Sequence, residues 1–466
     1  MANGGVNDEV RSTWERARLI PVSGIGNAAE AERRAASALL AVLGAVAEFG
    51  KAVTKEMGAP AGRLSVYTET PFKLDDRTVR PDGLIEVTRG KTSWTALVEV
   101  KTGSDQLQAK QLEDYLDVAK AYGFDAVVTI SNEIPPMPGQ HPTAVDKRRL
   151  RGKVKLLHLS WAHVVSFAVT VREHTGVTDP DQAWILSELI RYLKYPRSGA
   201  LGFETMGKEW VEVRESVRAG TLRKTDKGAP VVANRFDGLV QFLALELGAR
   251  LGADVTAVLP KREKEDPTLR TQALTAELVE SGSMTGTLRI PGAAGDLVVK
   301  ALLRANQIEC YVDLHAPQTG RNKTRISWLV RQLKDADPNL RIEAFLPRAR
   351  SSAGADTLGH VRENPEVLDV DPTKEIRAFR IAQVTRMGIK RDTGKGSFIE
   401  SVSTSLDTFY RDVLQNLKAW AAPAPKLDKG ADSPVVSDEA TRPQVVASSV
   451  VAVPSPPPQF GVPEAR

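Results

Sequence analysis

The sequence predicts an α/β protein: a mixed central sheet flanked by helices, followed by a C-terminal α+β domain and a proline-rich tail. Three observations predict it. Short apolar runs bounded by turn residues read as strands in the first 200 residues, and they alternate with segments of helical apolar period. Their order, helix, three strands, helix, two strands and further helices, makes a mixed sheet with helices against it. Hydrophobic content of 42% with 26% charged residues fits a globular chain.

In order, a helix is expected over residues 28–49, then strands over 64–72, 80–88 and 93–101. Arg89-Gly90-Lys91 reads as the turn between the last two. A helix over 106–122 precedes a buried strand at 126–131, and a strand at 154–159 leads into helices at 161–170 and 182–195. The second domain is expected to open with a helix at 236–251. Strands follow at 274–279, 287–290, 297–304 and 308–314, then a helix at 326–334, strands at 341–346 and 376–384, and a helix at 397–421. The resulting division is an N-terminal arm (1–24), a first domain (25–196), a polar helical connector around Trp210 (197–232), an α+β accessory domain (233–422) and a tail (423–466). Nine of the 28 prolines fall in that tail, which predicts disorder.

No apolar run approaches the roughly 20 residues of a membrane helix, and residues 1–8 lack the pattern of a secretory signal. A single cysteine, Cys310, reads as a small buried strand residue in a reducing cytoplasm, without membrane association. Net charge is +5, with −1 over residues 1–150, +7 over 151–422 and −1 in the tail. That distribution permits a polyanionic partner without demanding one.

The informative segment is Arg80-Pro81-Asp82-Gly83-Leu84-Ile85, followed by Ala96-Leu97-Val98-Glu99-Val100-Lys101-Thr102-Gly103. Strand side chains alternate faces, so Glu99 and Lys101 project together from an otherwise apolar run. Two charges there are costly without partners. A divalent cation with a polyanionic substrate supplies them. Asp82 lies 17 residues upstream, where a hairpin brings its carboxylate beside Glu99. Two carboxylates and a backbone carbonyl, that of Val100, suit Mg²⁺ or Mn²⁺ with several waters retained. Lys101 is then placed to orient or deprotonate an attacking water and to stabilise transition-state charge. Removing it is expected to leave stability unchanged or raised.

Pro81-Asp82 followed by Glu99-Val100-Lys101, on this order of elements, resembles the PD-(D/E)XK nuclease superfamily over about residues 25–170. The resemblance implies a restriction endonuclease-like core, Mg²⁺-dependent phosphodiester hydrolysis and nucleic acid, DNA foremost, as partner. RecB-like members carry Gln-x-x-x-Tyr on the helix after the lysine strand, and Gln111 and Tyr115 hold that spacing. Members also carry a glutamate on the first helix. Glu32 lies within about 20° of Leu39 and Leu43 on the apolar stripe, whereas Glu30 falls on the arginine-bearing side. A weaker resemblance over the whole chain is to actinobacterial proteins labelled stress-response proteins. It motivates the rival reading, a catalytically inactive nuclease-fold interaction protein, and a protein partner for the C-terminal domain. Two basic segments are further phosphate candidates: 321–325 before the 326 helix, and the P-loop-like run Gly388 to Gly396, whose spacing departs from that motif. His158 and His163 lack ligands at metal spacing.

Overall fold

The computed structural model describes residues 18–21, 26–135, 137 and 139–422; the expected disordered tail and nearly all of the 1–24 arm lie outside them. The described residues through Ala421 belong to one compact unit. Its architecture is mixed α/β, with two main sheets covered by helices.

Asn27 caps the first helix, α1 (Ala28–Ala45), by accepting from the Glu30 N–H, and Ala35, Leu39 and Leu43 form its buried stripe. The expected single helix to residue 49 breaks at Val46, whose backbone is extended, and α2 (Ala47–Glu56) leaves at 110°. The break buries Val46 and Phe49 completely. Gly50 permits it: a Cβ there would lie 2.4 Å from the Leu43 carbonyl oxygen, so any side chain would push α2 off α1.

Strands β1 (Arg63–Thr68), β2 (Phe72–Leu74), β3 (Arg77–Val79), β4 (Gly83–Arg89) and β5 (Thr92–Val100) follow. The short β2–β3 hairpin falls almost wholly between the strands expected over 64–72 and 80–88. Helix α3 (Ala109–Tyr122) then crosses to β6 (Ala126–Ser131), which β7 (Lys155–Ser160) joins. The first sheet has the order β1-β4-β5-β6-β7. β1, β4 and β5 are antiparallel neighbours, while β5, β6 and β7 run parallel, so the sheet is mixed as expected. Alternation in β5 sends Ala96, Val98 and Val100 into a core shared with α1, α4 (Trp161–Thr170) and α5 (Pro180–Leu193). Leu97 packs on the other face with Leu112, Tyr115 and Leu116 of α3.

The second sheet comprises β8 (Thr256–Ala257), β9 (Ser283–Arg289), β10 (Leu297–Leu302), β11 (Gln307–His315), β12 (Arg341–Phe345), β13 (Gly354–Thr357) and β14 (Ala378–Arg386). Its order is β13-β12-β14-β11-β10-β9-β8, antiparallel at every pairing. The flanking helices begin with α6 (Trp210–Ala219), α7 (Gly228–Leu251) and α8 (Lys261–Glu265). They continue with α9 (Pro267–Ser281), α10 (Asn322–Gln332), α11 (Leu358–Glu363) and α12 (Phe398–Asp412). Residues 274–279, expected as a strand, are the second half of α9. Asp266 caps that helix, Pro267 occupies its first turn, and Leu274 and Leu278 bury one face at helical spacing. The helix expected over 397–421 ends at Asp412. Segment 197–232 supplies core: Phe203, Met206, Trp210, Val213 and Val217 are buried, with the Trp210 and Phe398 rings 4.4 Å apart. Helices α4 and α7 pack against each other.

Candidate active site

Strand register brings Asp82 and Glu99 together. In the β4–β5 hairpin Gly83 pairs with Val98 and Leu84 with Leu97, so Asp82, one residue before β4, stands opposite Glu99. The Asp82 Oδ2 accepts a hydrogen bond from the Val100 N–H at 2.7 Å, and Val100 joins the cluster through that bond. Glu99 is 1% exposed, on the α3 side of the sheet. A carboxylate that deep needs partners. Its Oε2 accepts from the Tyr115 hydroxyl at 2.8 Å, and its Oε1 lies 2.8 Å from the Lys101 Nζ. Gln111 Nε2 donates to the Tyr115 hydroxyl oxygen at 2.9 Å. The two α3 residues, one turn apart, therefore act in series behind Glu99.

Glu32 arrives from α1, on the other side of the sheet, near the C-terminal end of β5. Lys101 Nζ lies 2.9 Å from Glu32 Oε1, so one ammonium bridges carboxylates from a helix and a strand. Glu30, assigned from sequence to the arginine side, pairs with Arg34. The Lys101 backbone is held on both sides: its N–H donates to the Ile130 carbonyl at 2.8 Å, and its carbonyl accepts from the Trp161 indole N–H at 2.9 Å. Asp82, Glu99, Lys101, Glu32, Gln111 and Tyr115 all meet at this place.

One carboxylate oxygen from each of Glu32, Asp82 and Glu99 lies within 4.8 Å of the others. Burial raises the Asp82 carboxyl to about 6, and the Glu99 charge adds to the effect. Burial also raises Glu99 and Glu32 above the ordinary carboxylate range, against the pull of Lys101. Burial opposes the Lys101 charge, but Glu99 and Glu32 outweigh it and hold the ammonium above the ordinary lysine range. Burial and the Glu99 charge keep Tyr115 a neutral donor. Glu99 Oε1 has its ion pair yet no aligned hydrogen bond, which leaves a buried carboxylate oxygen with coordination capacity to spare. Ionised, three carboxylates against one ammonium leave two negative charges. Oxygen donors with that charge fit a hard divalent cation.

Other residues complete the surroundings, and of them the sequence points only to His158 and His163, as histidines without ligands at metal spacing. Asn132 Nδ2 donates to the Gly103 carbonyl at 2.9 Å and the Gly199 carbonyl at 2.8 Å, while its Oδ1 accepts from the Leu201 N–H at 2.7 Å. Thr129 is the register neighbour of Glu99, and His158 that of Thr129, which makes a polar row across three strands. Thr129 Oγ1 lies 2.8 Å from His158 Nδ1 and 2.9 Å from His141 Nε2. With His158 Nε2 donating to the Glu133 carbonyl at 2.9 Å, Nδ1 must accept from the threonine hydroxyl. Burial lowers His158 to about 4 and also lowers His141 and His163, so all three are neutral near pH 7. The one legible signal for this row was a polar residue, Thr129 or His158, inside each of two largely apolar strands.

The basic candidates in the second domain are largely committed elsewhere. Arg325 is buried and donates to the carbonyls of Gly320 and Ile376 and to Glu375, so it braces a loop and is not free for phosphate. In the P-loop-like run the Gly396 N–H is taken by Glu400, and Ser397 caps α12. Cys310 is buried in β11, as expected. A cavity of about 650 Å³ lies between α4 and α7 and is lined by none of the three carboxylates. A smaller one, about 190 Å³, is walled partly by Asp82. Among the described residues no single helix is long and apolar enough to cross a membrane. No family model matches the chain, and no curated protein is significantly similar to it.

Proposed function

We propose that this chain is a divalent-metal-dependent nuclease of the PD-(D/E)XK type, with a restriction endonuclease-like first domain, hydrolysing phosphodiester bonds in DNA in a repair, defence or stress-response role. The observation that carries this reading is the convergence of Glu32, Asp82 and Glu99 on Lys101 at the end of β5. Asp82, Glu99 and Glu32 would hold Mg²⁺ or Mn²⁺, with the Val100 carbonyl as the backbone ligand that the motif implies. The cation, when bound, acidifies water and neutralises charge on phosphate oxygens. Gln111 and Tyr115 fix the Glu99 rotamer, so the carboxylate is oriented before any ligand arrives. Lys101 stays protonated beside its two glutamates and therefore serves to stabilise developing negative charge; deprotonating water falls to another group.

One observation favours the rival, an inactive nuclease fold acting as an interaction protein. The Lys101 ammonium already answers Glu99 and Glu32 within the chain, as a purely structural ion cluster would. The deciding experiment incubates purified protein with plasmid, linear duplex and single-stranded DNA in Mg²⁺, Mn²⁺ or EDTA. Metal-dependent cleavage, lost in Asp82→Asn, is the expected result. No cleavage together with melting that ignores metal leaves the rival standing.

A further inference from the structure

The small cavity beside the carboxylate cluster is walled by Arg33, Ala36, Ser37, Thr68, Glu69 and Asp82. We propose that it is a phosphate subsite, holding the backbone phosphate adjacent to the one cleaved; the inference rests on the nuclease reading above. Two neighbouring arginines on α1 show the contrast that motivates it. Arg34 is engaged, bonding Glu30 at 2.9 Å and the Pro21 carbonyl at 2.7 Å. Arg33 makes no hydrogen bond or close ion pair among the described residues, and neither do the hydroxyls of Ser37 and Thr68. Arg33 and Ser37 are one helical turn apart and share a face, with the small Ala36 leaving room between them.

Position gives these free donors their meaning. Glu32, next to Arg33 on α1, is one of the three clustered carboxylates, and Asp82 is both a cluster member and a wall of the cavity. A strand whose scissile phosphate lies at Asp82 and Glu99 has its next phosphate within one nucleotide of that point. A planar guanidinium with two hydroxyls suits a phosphate's oxygens, and an apolar ligand would find none of its needs there. Glu69 and Asp82 are the contrary charges in the wall, and Asp82 is the one shared with the carboxylate cluster, so Glu69 is the charge that opposes a phosphate from outside that cluster. Its backbone N–H donates to the Asp82 carbonyl at 3.0 Å, so it is anchored against the site and cannot simply swing clear as a chain segment. The subsite is thus a weak, single-cation one that favours positioning over tight holding.

The test measures binding of a short labelled oligonucleotide, single-stranded and duplex, by fluorescence anisotropy in Ca²⁺ at several salt concentrations. Arg33→Ala is expected to weaken binding roughly tenfold and to lower the salt slope by about one phosphate contact. Arg33→Lys should recover most of the loss, and Glu69→Gln should bind more tightly than wild type. Stabilisation by Mn²⁺ in thermal melts should be the same in all four proteins, since none of these side chains belongs to the metal cluster. Wild-type affinity and salt slope in Arg33→Ala overturn the subsite while wild-type cleavage leaves the nuclease reading intact. A wild-type protein that neither binds DNA nor responds to Mn²⁺ overturns both. Because Arg33 makes no hydrogen bond or close ion pair among the described residues, its loss should leave the melting temperature unchanged, and the opposite response of Glu69→Gln provides an independent arm.

Discussion

Lys101 shows how one side chain couples stability to chemistry. The sequence suggests a buried cation whose removal relieves the fold. The ion pairs of the ammonium with both Glu99 and Glu32 argue for the opposite outcome. Lys101→Ala should cut cleavage on the order of 10²-fold or more, through loss of transition-state charge stabilisation. It should also lower metal-free stability by about 3 kcal/mol, the usual scale for orphaning one side of a buried pair. Plasmid nicking and thermal melts in EDTA check both halves, and a variant melting at or above wild type would refute the second. Asp82→Asn should do the opposite to stability. It removes a charge that repels Glu99 yet keeps an oxygen for the Val100 N–H, so the metal-free melting temperature should rise while cleavage and metal response disappear.

Elements converge on the site partly through hydrogen bonds to backbone groups at the end of β5. The end of β5 is held by β6 on one side and by Trp161, the first residue of α4, on the other. Asn132, just beyond β6, ties Gly103 after β5 to Gly199 and Leu201. Asn132→Ala leaves the Gly103 carbonyl and the Leu201 N–H without their partner, whereas the Gly199 carbonyl keeps the Gly103 N–H at 2.8 Å. Such a loss costs about 1–3 kcal/mol, and it should loosen the segment that carries Lys101. Urea unfolding should show a lower midpoint with unchanged slope, and kcat should fall with little change in metal affinity. An unchanged midpoint would mean that water replaces the amide without penalty.

Over the whole molecule, buried ionisable groups pull its pH dependence in opposite directions. The Asp82 carboxyl, raised to about 6, contributes stability that is complete below its unfolded value and is lost as pH rises through 6. Glu32 and Glu99 are raised too and act in the same sense. His141, His158 and His163 are lowered, so their contribution is present above the unfolded histidine value and is lost on acidification. The absolute profile mixes the two sets, but a difference isolates one. The gap between Asp82→Asn and wild type in EDTA should widen from pH 4 to pH 7, by on the order of 2 kcal/mol. A constant gap would show that Asp82 ionises normally. Saturating Mn²⁺ should close it from the wild-type side, adding about 2.7 kcal/mol at a hundredfold excess over Kd. Cleavage should rise as pH passes through 6, with the midpoint moving lower at higher metal concentration, because protons and metal compete for the same oxygens.

The sequence by itself determined the local facts. Period two in 96–100 fixed which face Glu99 takes, the turn at Arg89-Gly90-Lys91 set the hairpin that places Asp82 opposite it, and helical spacing separated Glu32 from Glu30 and paired Gln111 with Tyr115. These are properties of neighbours along the chain. The tertiary structure decided everything that depends on residues far apart in sequence. It broke the first helix at Val46, where α2 folds back over Gly50. It drew the 197–232 segment into a core through Trp210 and Phe398, residues 188 positions apart. Asn132, Trp161 and the Thr129 row support the site from a loop, a helix start and strands whose proximity no local pattern encodes. Whether Arg325 meets a phosphate or a carbonyl was likewise a matter of burial, since the same guanidinium serves either and only the packed fold supplied the carbonyls.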